Sequence, residues 1–248
     1  MGEETRKRAV VTGAASGIGN AVARRLLDEG CEVLAVDIDA GRLAALGAEG
    51  CATRAVDVGD PDQRQALAEA ADGFDYLVNS AGIIRIKPIL EVTVEEWRQV
   101  QTVNAESVFF LCQLIGPRLR PGGAIVNLSS SSAKLATSTD VAPYAASKTT
   151  ILSITRSFSY ALAGRPVRVN AICPGIVETE MQDRFLEHVA THKNTTAAEF
   201  DAQRKKGVPL QRGASPEECA GAILFLLSDE AAYMTGQAIN FTGGLVNW

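Results

Sequence analysis

Seven short apolar runs recur along this chain, and most of them do not alternate with polar residues. They are RAVVT (8–12), EVLAV (32–36), ATRAV (52–56), YLVNS (76–80), AIVNL (124–128), VRVNAI (167–172) and QAINF (237–241). A strand with one wet face alternates. A strand rich in Val, Ile, Leu and Ala throughout is buried on both faces, as in a parallel sheet covered by helices. The intervening stretches carry helix-start signals. Asp60-Pro61 opens one, Thr93-x-x-Glu96 reads as a capping box, and Ser215-Pro216-Glu217-Glu218 combines a cap, an N1 proline and the reciprocal glutamate. Strand–helix alternation along the whole chain predicts a doubly wound α/β fold, a seven-stranded mostly parallel sheet with helices on both faces. No linker, repeat or low-complexity tract interrupts it apart from Ser129–Ser132, so residues 1–248 read as one domain. Residues 176–213 break the rhythm: polar, strand-free, partly helical with Thr196-x-x-Glu199 as a cap, and suited to a lid over a cleft.

Charge and cysteine content narrow the function classes. The net charge is −5 and the pI about 5.2, which disfavours a nucleic-acid partner. No basic amphipathic stretch points to a membrane surface, and no apolar run is long enough to span one. The start, MGEETRKRAVV, lacks the apolar core of a signal peptide, and Arg6 counts against myristoylation at Gly2. Cys31, Cys51, Cys112, Cys173 and Cys219 are odd in number and scattered, the pattern of free thiols in a reducing compartment. A cytoplasmic protein is expected. His188 and His192 share a helical face, but without a third ligand or an H-E-x-x-H pattern no metal site is expected.

The first run enters TGAASGIG (12–19) and then a helical stretch. Strand, glycine turn and helix N-terminus make a phosphate cradle: glycine allows close backbone approach, and the helix end favours negative charge. The spacing of Gly13, Gly17 and Gly19 is G-x-x-x-G-x-G, not the commoner G-x-G-x-x-G. The second strand leads into Asp37, placed to accept both ribose hydroxyls of NAD and to repel the 2′-phosphate of NADP. Neither Ser16 nor Ile38 is basic, so NAD is expected; the plainer role for Asp37 is a helix cap, which Asp39 can also fill. Asp57, after the third run, is placed either to reach an adenine amino group or simply to be a solvated turn residue before Gly59-Asp60-Pro61.

PYAASK (143–148) sits in a stretch, 143–163, that reads as a helix, so Tyr144 and Lys148 fall one turn apart on one face. A neighbouring ammonium stabilises a phenolate and lowers its pKa, which suits a general acid/base.

Taken in order, TGAASGIG, NSAG (79–82), Asn104, the serine run after AIVNL, YAASK and PGIVET (174–179) resemble the short-chain dehydrogenase/reductase family, whose members have the Rossmann fold. The resemblance spans essentially the whole chain. It implies hydride transfer between NAD and a secondary alcohol or its ketone. Tyr144 would be the proton donor and acceptor, Lys148 its pKa-lowering neighbour and ribose anchor, and Asn104 the anchor of a relay water. A serine after the fifth strand would bond the substrate oxygen. Ser130 is preferred from its place, although the offset from Tyr144 suits Ser131. The implied cofactor surface comprises Gly13, Ser16, Gly17, Ile18, Gly19, Asp37, Asp57, Val58, Asn79, Ala81, Gly82, Tyr144, Lys148, Pro174, Gly175, Ile176, Val177 and Thr179. Ser80 departs from the family pattern, which often has a second Asn there. A homotetramer is implied by resemblance alone.

Arg85, Ser132, Lys134, Glu178 and Gln182 read as polar pocket candidates, which favours a sugar, polyol or small hydroxy compound as the small-molecule substrate. The alternatives are a 3-oxoacyl-[acyl-carrier-protein] reductase, a non-catalytic dinucleotide-binding regulator and a purely structural domain.

Overall fold

The computed structural model describes residues 6–136, 138–193 and 195–248, without the side chains of His192 and Lys193. The N-terminal reading at residues 1–5 and the pairing of His192 with His188 therefore lie outside the described residues.

Among those residues the strands are β1 (Arg8–Thr12), β2 (Glu32–Asp37), β3 (Ala52–Ala55), β4 (Tyr76–Asn79), β5 (Ala124–Leu128), β6 (Arg168–Pro174) and β7 (Ala238–Phe241). They form a seven-stranded sheet in the order β3-β2-β1-β4-β5-β6-β7, every neighbouring pair parallel. The helices are α1 (Gly17–Asp28), α2 (Ala40–Ala48), α3 (Pro61–Ala70), α4 (Val94–Gln101), α5 (Ser107–Ile115), α6 (Ala142–Leu162), α7 (Glu180–Lys193), α8 (Ala197–Lys206) and α9 (Pro216–Leu227).

Two apolar layers sandwich the sheet. On one face Val11, Val33, Val78 and Val126 meet Leu26 of α1, Leu43 of α2 and Ile223 of α9. On the other, Val10, Leu77, Ile125 and Val169 meet Leu67 of α3, Leu111 of α5 and Ile151 of α6. Burial on both faces explains why the central runs do not alternate. The edges differ: β3 is largely exposed and β7 only half-buried, because an edge strand has a neighbour on one side only.

The three capping boxes form as the sequence indicates, at Thr93/Glu96, Thr196/Glu199 and Ser215/Glu218. Asp60 accepts hydrogen bonds from the backbone N–H of Asp62 and Gln63. The polar stretch after β6 folds into α7 and α8, which pack on each other. Between α4 and α5 the chain widens into a π-helical turn, Thr102–Glu106, carrying Asn104. No helix among the described residues is long and apolar enough to cross a membrane.

Strand order reverses between β1 and β4. In such sheets the ligand crevice opens there, beyond the strands' carboxyl ends. The glycine turn follows β1 and the NSAG segment closes β4, so both sit at that switch point.

Candidate active site

A cleft of about 1000 Å³ opens at this point. Gly13 has φ +69° and Gly17 φ +52°. A Cβ on Gly13 would stand 2.8 Å from the Ala81 backbone, so only glycine lets the turn lie against the β4 exit. A Cβ on Gly17 would face the Thr179 methyl group across the cleft at 3.3 Å. Gly19 does not line the cleft. It lies behind the turn, where a Cβ would meet the Gly13 carbonyl at 2.2 Å, so it lets α1 close onto the turn. Ser16 is the N-cap of α1 but caps nothing with its side chain, and the first turn holds no acid. The helix end is thus open to an anion, and the cradle fits a dinucleotide pyrophosphate.

Asp37 ends β2 on the cleft wall beside Ile38. Its Oδ2 accepts from the Ala15 N–H (3.1 Å) and its Oδ1 from the Asp39 N–H (3.0 Å), while Asp39 caps α2 through the Arg42 N–H. The capping job therefore falls to Asp39, and Asp37 is fixed beside the glycine turn. Asp57 and Val58 also line the cleft, and Asp57 accepts from the Gly59 N–H at 2.8 Å.

Thr12 organises the opposite wall and escaped the sequence reading. Its Oγ1 accepts from the N–H groups of Ser80 and Ala81 (3.1 and 3.2 Å), holding the β4 exit open. Ser80, Ala81 and Gly82 line the cleft; Asn79 does not. Its register partner on β5 is Asn127, and its Nδ2 donates to Asn127 Oδ1 at 2.8 Å inside the core. The side-chain period of the strand turns residue 79 inward, and Ser80–Gly82 lie past the end of β4, in the loop that forms the cleft wall.

Tyr144 and Lys148 stand in the first turns of α6, and the Lys148 ammonium lies 5.6 Å from the Tyr144 ring centroid. Lys148 Nζ donates to the Leu128 carbonyl at 2.7 Å, which ties α6 to the end of β5. Burial lowers its pKa to about 8. Burial also raises the Tyr144 phenol, opposed by a hydrogen bond with Ser130. The direct lowering of Tyr144 by Lys148 that the sequence suggests does not appear among the causes acting on the phenol here: desolvation dominates both groups.

Ser129 through Ser132 all line the cleft. Ser130 is the serine whose hydroxyl opposes the burial-driven rise of the Tyr144 phenol, and its Oγ accepts from the Ser132 N–H at 3.1 Å. Ser129 instead donates to the Lys148 carbonyl at 2.8 Å.

Asn104 is fully buried behind the cleft. Its Oδ1 accepts from the Ile83 N–H (2.8 Å), and its Nδ2 donates to the Ile83 carbonyl (2.9 Å) and to Ser147 Oγ (3.0 Å). Ser147 Oγ donates to the Tyr144 carbonyl at 2.7 Å. Asn104 thus clamps the NSAG loop to the tyrosine helix. The π-turn is its structural setting, an irregularity frequent at functional sites.

Pro174, Gly175, Ile176, Val177 and Thr179 form the far wall, continued by Gln182 and Phe185 of α7 and Phe200 and Arg204 of α8. Of the polar pocket candidates, Arg85, Ser132 and Gln182 line the cleft. Lys134 and Glu178 do not: Lys134 donates to Asn240 Oδ1 (2.7 Å), and Glu178 pairs with Lys205 (2.9 Å). Arg42 of α2 and Glu180 of α7 form an ion pair beside the Asp37 end of the cleft, a contact only the fold creates.

The family model described as "Enoyl-(Acyl carrier protein) reductase" matches residues 13–246. D-Threitol dehydrogenase of Mycolicibacterium smegmatis is 38% identical, covering 96% of this chain and 92% of that protein. The 3-oxoacyl-[acyl-carrier-protein] reductase of Thermotoga maritima is also 38% identical, covering 97% and 98%. The crystal structure of a variant actinorhodin polyketide ketoreductase with NADPH superposes with a TM-score of 0.91 at 32% identity, covering all of both chains. The chain belongs to the short-chain dehydrogenase/reductase family. It is an oxidoreductase acting on CH–OH groups, interconverting secondary alcohols and ketones.

Proposed function

We propose that this oxidoreductase uses NAD and acts on a sugar, polyol or small hydroxy compound. The observation that carries the cofactor reading is Asp37. Its carboxylate is fixed at the cleft by two backbone N–H groups, where it suits a ribose diol and opposes a 2′-phosphate. Gly13, Ser16, Gly17, Ile18, Asp57, Val58, Ala81, Gly82 and the 174–179 loop would hold the rest of the dinucleotide, with Gly19 shaping the turn behind them. The bound nicotinamide supplies the hydride acceptor. Asn79 contributes through the position of its strand, not through its side chain.

In the oxidative direction Tyr144 takes the hydroxyl proton from the alcohol, while Ser130 donates a hydrogen bond to the substrate oxygen and keeps it beside the phenol. Tyr144 accepts that proton as the phenolate and becomes the phenol, and Lys148, its ammonium set 5.6 Å from the ring, would favour the phenolate that starts the step. Asn104 holds the loop and the tyrosine helix in register, and through them the relay to solvent. The polyol reading is supported by likeness to the D-threitol dehydrogenase and to the galactitol 2-dehydrogenase of Agrobacterium fabrum. The acidic balance and free thiols support a cytoplasmic setting, and exposed Trp97, Phe109 and Trp248 support a homotetramer.

The test is NAD- and NADP-linked oxidation of sugars, polyols and simple secondary alcohols, beside Tyr144→Phe and Asp37→Ser. Turnover should favour NAD, fall ~10²–10⁴-fold in Tyr144→Phe, and shift toward NADP in Asp37→Ser. Full activity of the phenylalanine variant would refute the assigned acid/base. A second reading, 3-oxoacyl-[acyl-carrier-protein] reduction, is favoured by the Thermotoga relative. Turnover of acetoacetyl thioester with NADPH, and of no polyol with NAD, would select it.

A further inference from the structure

The lid carries a cation, Arg204, that makes no ion pair among the described residues and is offset only at longer range by Asp201. Arg204 of α8 lines the cleft beside a pair of touching phenylalanine rings: its guanidinium carbon is 4.9 Å from the Phe185 centroid and 5.9 Å from the Phe200 centroid, and the two centroids are 6.3 Å apart. Its Nη1 is sealed from water and has no hydrogen-bond partner among the described residues. Gln182 also lines the cleft, one turn before Phe185 on the same face of α7, and its Nε2 is likewise sealed and unpartnered. Burial lowers the Arg204 pKa, and Asp201 supplies the opposing charge without approaching to ion-pair distance; the Asp201 carboxylate pairs with Lys205 at 2.7 Å.

Other cations on the wall are engaged. Arg85 forks onto Gln99 Oε1 (3.0 and 3.2 Å), and Lys148 donates to the Leu128 carbonyl. A buried donor without an acceptor is costly, more so on a charged group. Both donors sit on residues that line the cleft, on lid helices that pack on each other, so an oxyanion bound there would offer each the acceptor it lacks. The Phe185 and Phe200 rings hold the guanidinium by cation–π contact from one side, and a guanidinium can offer two parallel N–H groups to a two-oxygen acceptor.

We infer that Arg204 and Gln182 form a subsite for an anionic group, a carboxylate or phosphate, on the secondary alcohol that the enzyme oxidises. This rests on the reaction proposed above and narrows its substrate from neutral polyols to hydroxy acids or polyol phosphates. Arg204 is then a specificity-determining residue outside the proton-handling set.

The test is titration of the NADH-loaded protein with galactitol, galactonate and galactitol 1-phosphate, and with threitol and threonate, in wild type, Arg204→Gln, Arg204→Lys and Gln182→Ala. At least one anion should bind at least about tenfold more tightly than its neutral polyol, and the carboxylate and phosphate arms identify which group. Arg204→Gln should abolish that preference, Arg204→Lys keep most of it, and NADH affinity stay unchanged in both. Where turnover is measured, Arg204→Gln should raise KM for the anion and leave kcat. Equal wild-type binding of neutral and anionic compounds would overturn the inference. So would a preference that survives Arg204→Gln, or a parallel loss of NADH affinity, which would assign the subsite to the cofactor. Failure of the reaction itself is seen separately, as absent or Tyr144-independent turnover, on which the titration does not depend.

Discussion

At the residue scale, the serine run poses a question that spacing alone leaves open. Ser130 and Ser131 both follow β5 and both face the cleft, yet only Ser130 acts on the Tyr144 phenol, opposing the rise that burial imposes. Ser130→Ala should therefore lower kcat ~10²-fold or more, while Ser131→Ala should stay near wild type. Steady-state kinetics with both variants decides it, and the opposite ranking would move the assignment to Ser131. Lys148 gives a pH prediction. An unfolded lysine keeps its proton to about 10.4, whereas the folded Lys148 releases it near pH 8. Between these values the unfolded chain binds more protons, so this lysine's contribution to stability rises with pH. Below pH 8 the burial penalty is present in full. The melting temperature of wild type minus that of Lys148→Met should therefore climb from pH 8 to 10, by at most ~1.4 kcal/mol per pH unit in free energy. A flat difference would contradict the burial argument.

At the element scale, capping separates stability from chemistry. Ser215 Oγ accepts from the Glu218 N–H (3.2 Å), and the Glu218 carboxylate accepts from the Ser215 N–H (2.9 Å) and from Arg212. Those donors hold Glu218 down to about 2. Ser215 starts α9, which packs against α1 on the face remote from Tyr144. Ser215→Ala should cost ~1 kcal/mol, a fall in Tm of roughly 2–4 °C, with kcat/KM unchanged. A large loss of activity would mean that α9 also positions the cleft. The π-turn at Thr102–Glu106 is the contrasting element. It buries Asn104 against Ile83 and Ser147, and no sequence signal marked it beyond an asparagine inside an otherwise helical stretch.

At the scale of the whole molecule, the cleft is bounded by the β2 end, the β4 loop, the β5 serines, α6, the β6 loop and the lid. A dinucleotide spanning it couples these pieces. NADH at about 100 times its Kd should add ~2.7 kcal/mol of stability, a rise in Tm of roughly 5–11 °C. NADP at the same concentration should give less, because Asp37 stands at the ribose end. Thermal melts with each cofactor measure this without any substrate, and an equal or larger shift with NADP would reverse the cofactor reading.

The sequence by itself determined the sheet, most of its strands and the helix starts, because burial on both faces and capping chemistry are local patterns. It also marked the glycine turn, Asp37, Tyr144 and Lys148, whose spacing is set by one turn or one helix. What it could not carry were contacts between distant segments. Thr12 bracing Ser80 and Ala81, Asn79 turning inward to Asn127, Ser130 acting on the phenol, Lys134 and Glu178 turning away, and Arg204 beside a phenylalanine pair all depend on how separate elements meet. The tertiary structure decided these, since a side chain's partner is fixed by the packing of its element and not by its neighbours along the chain.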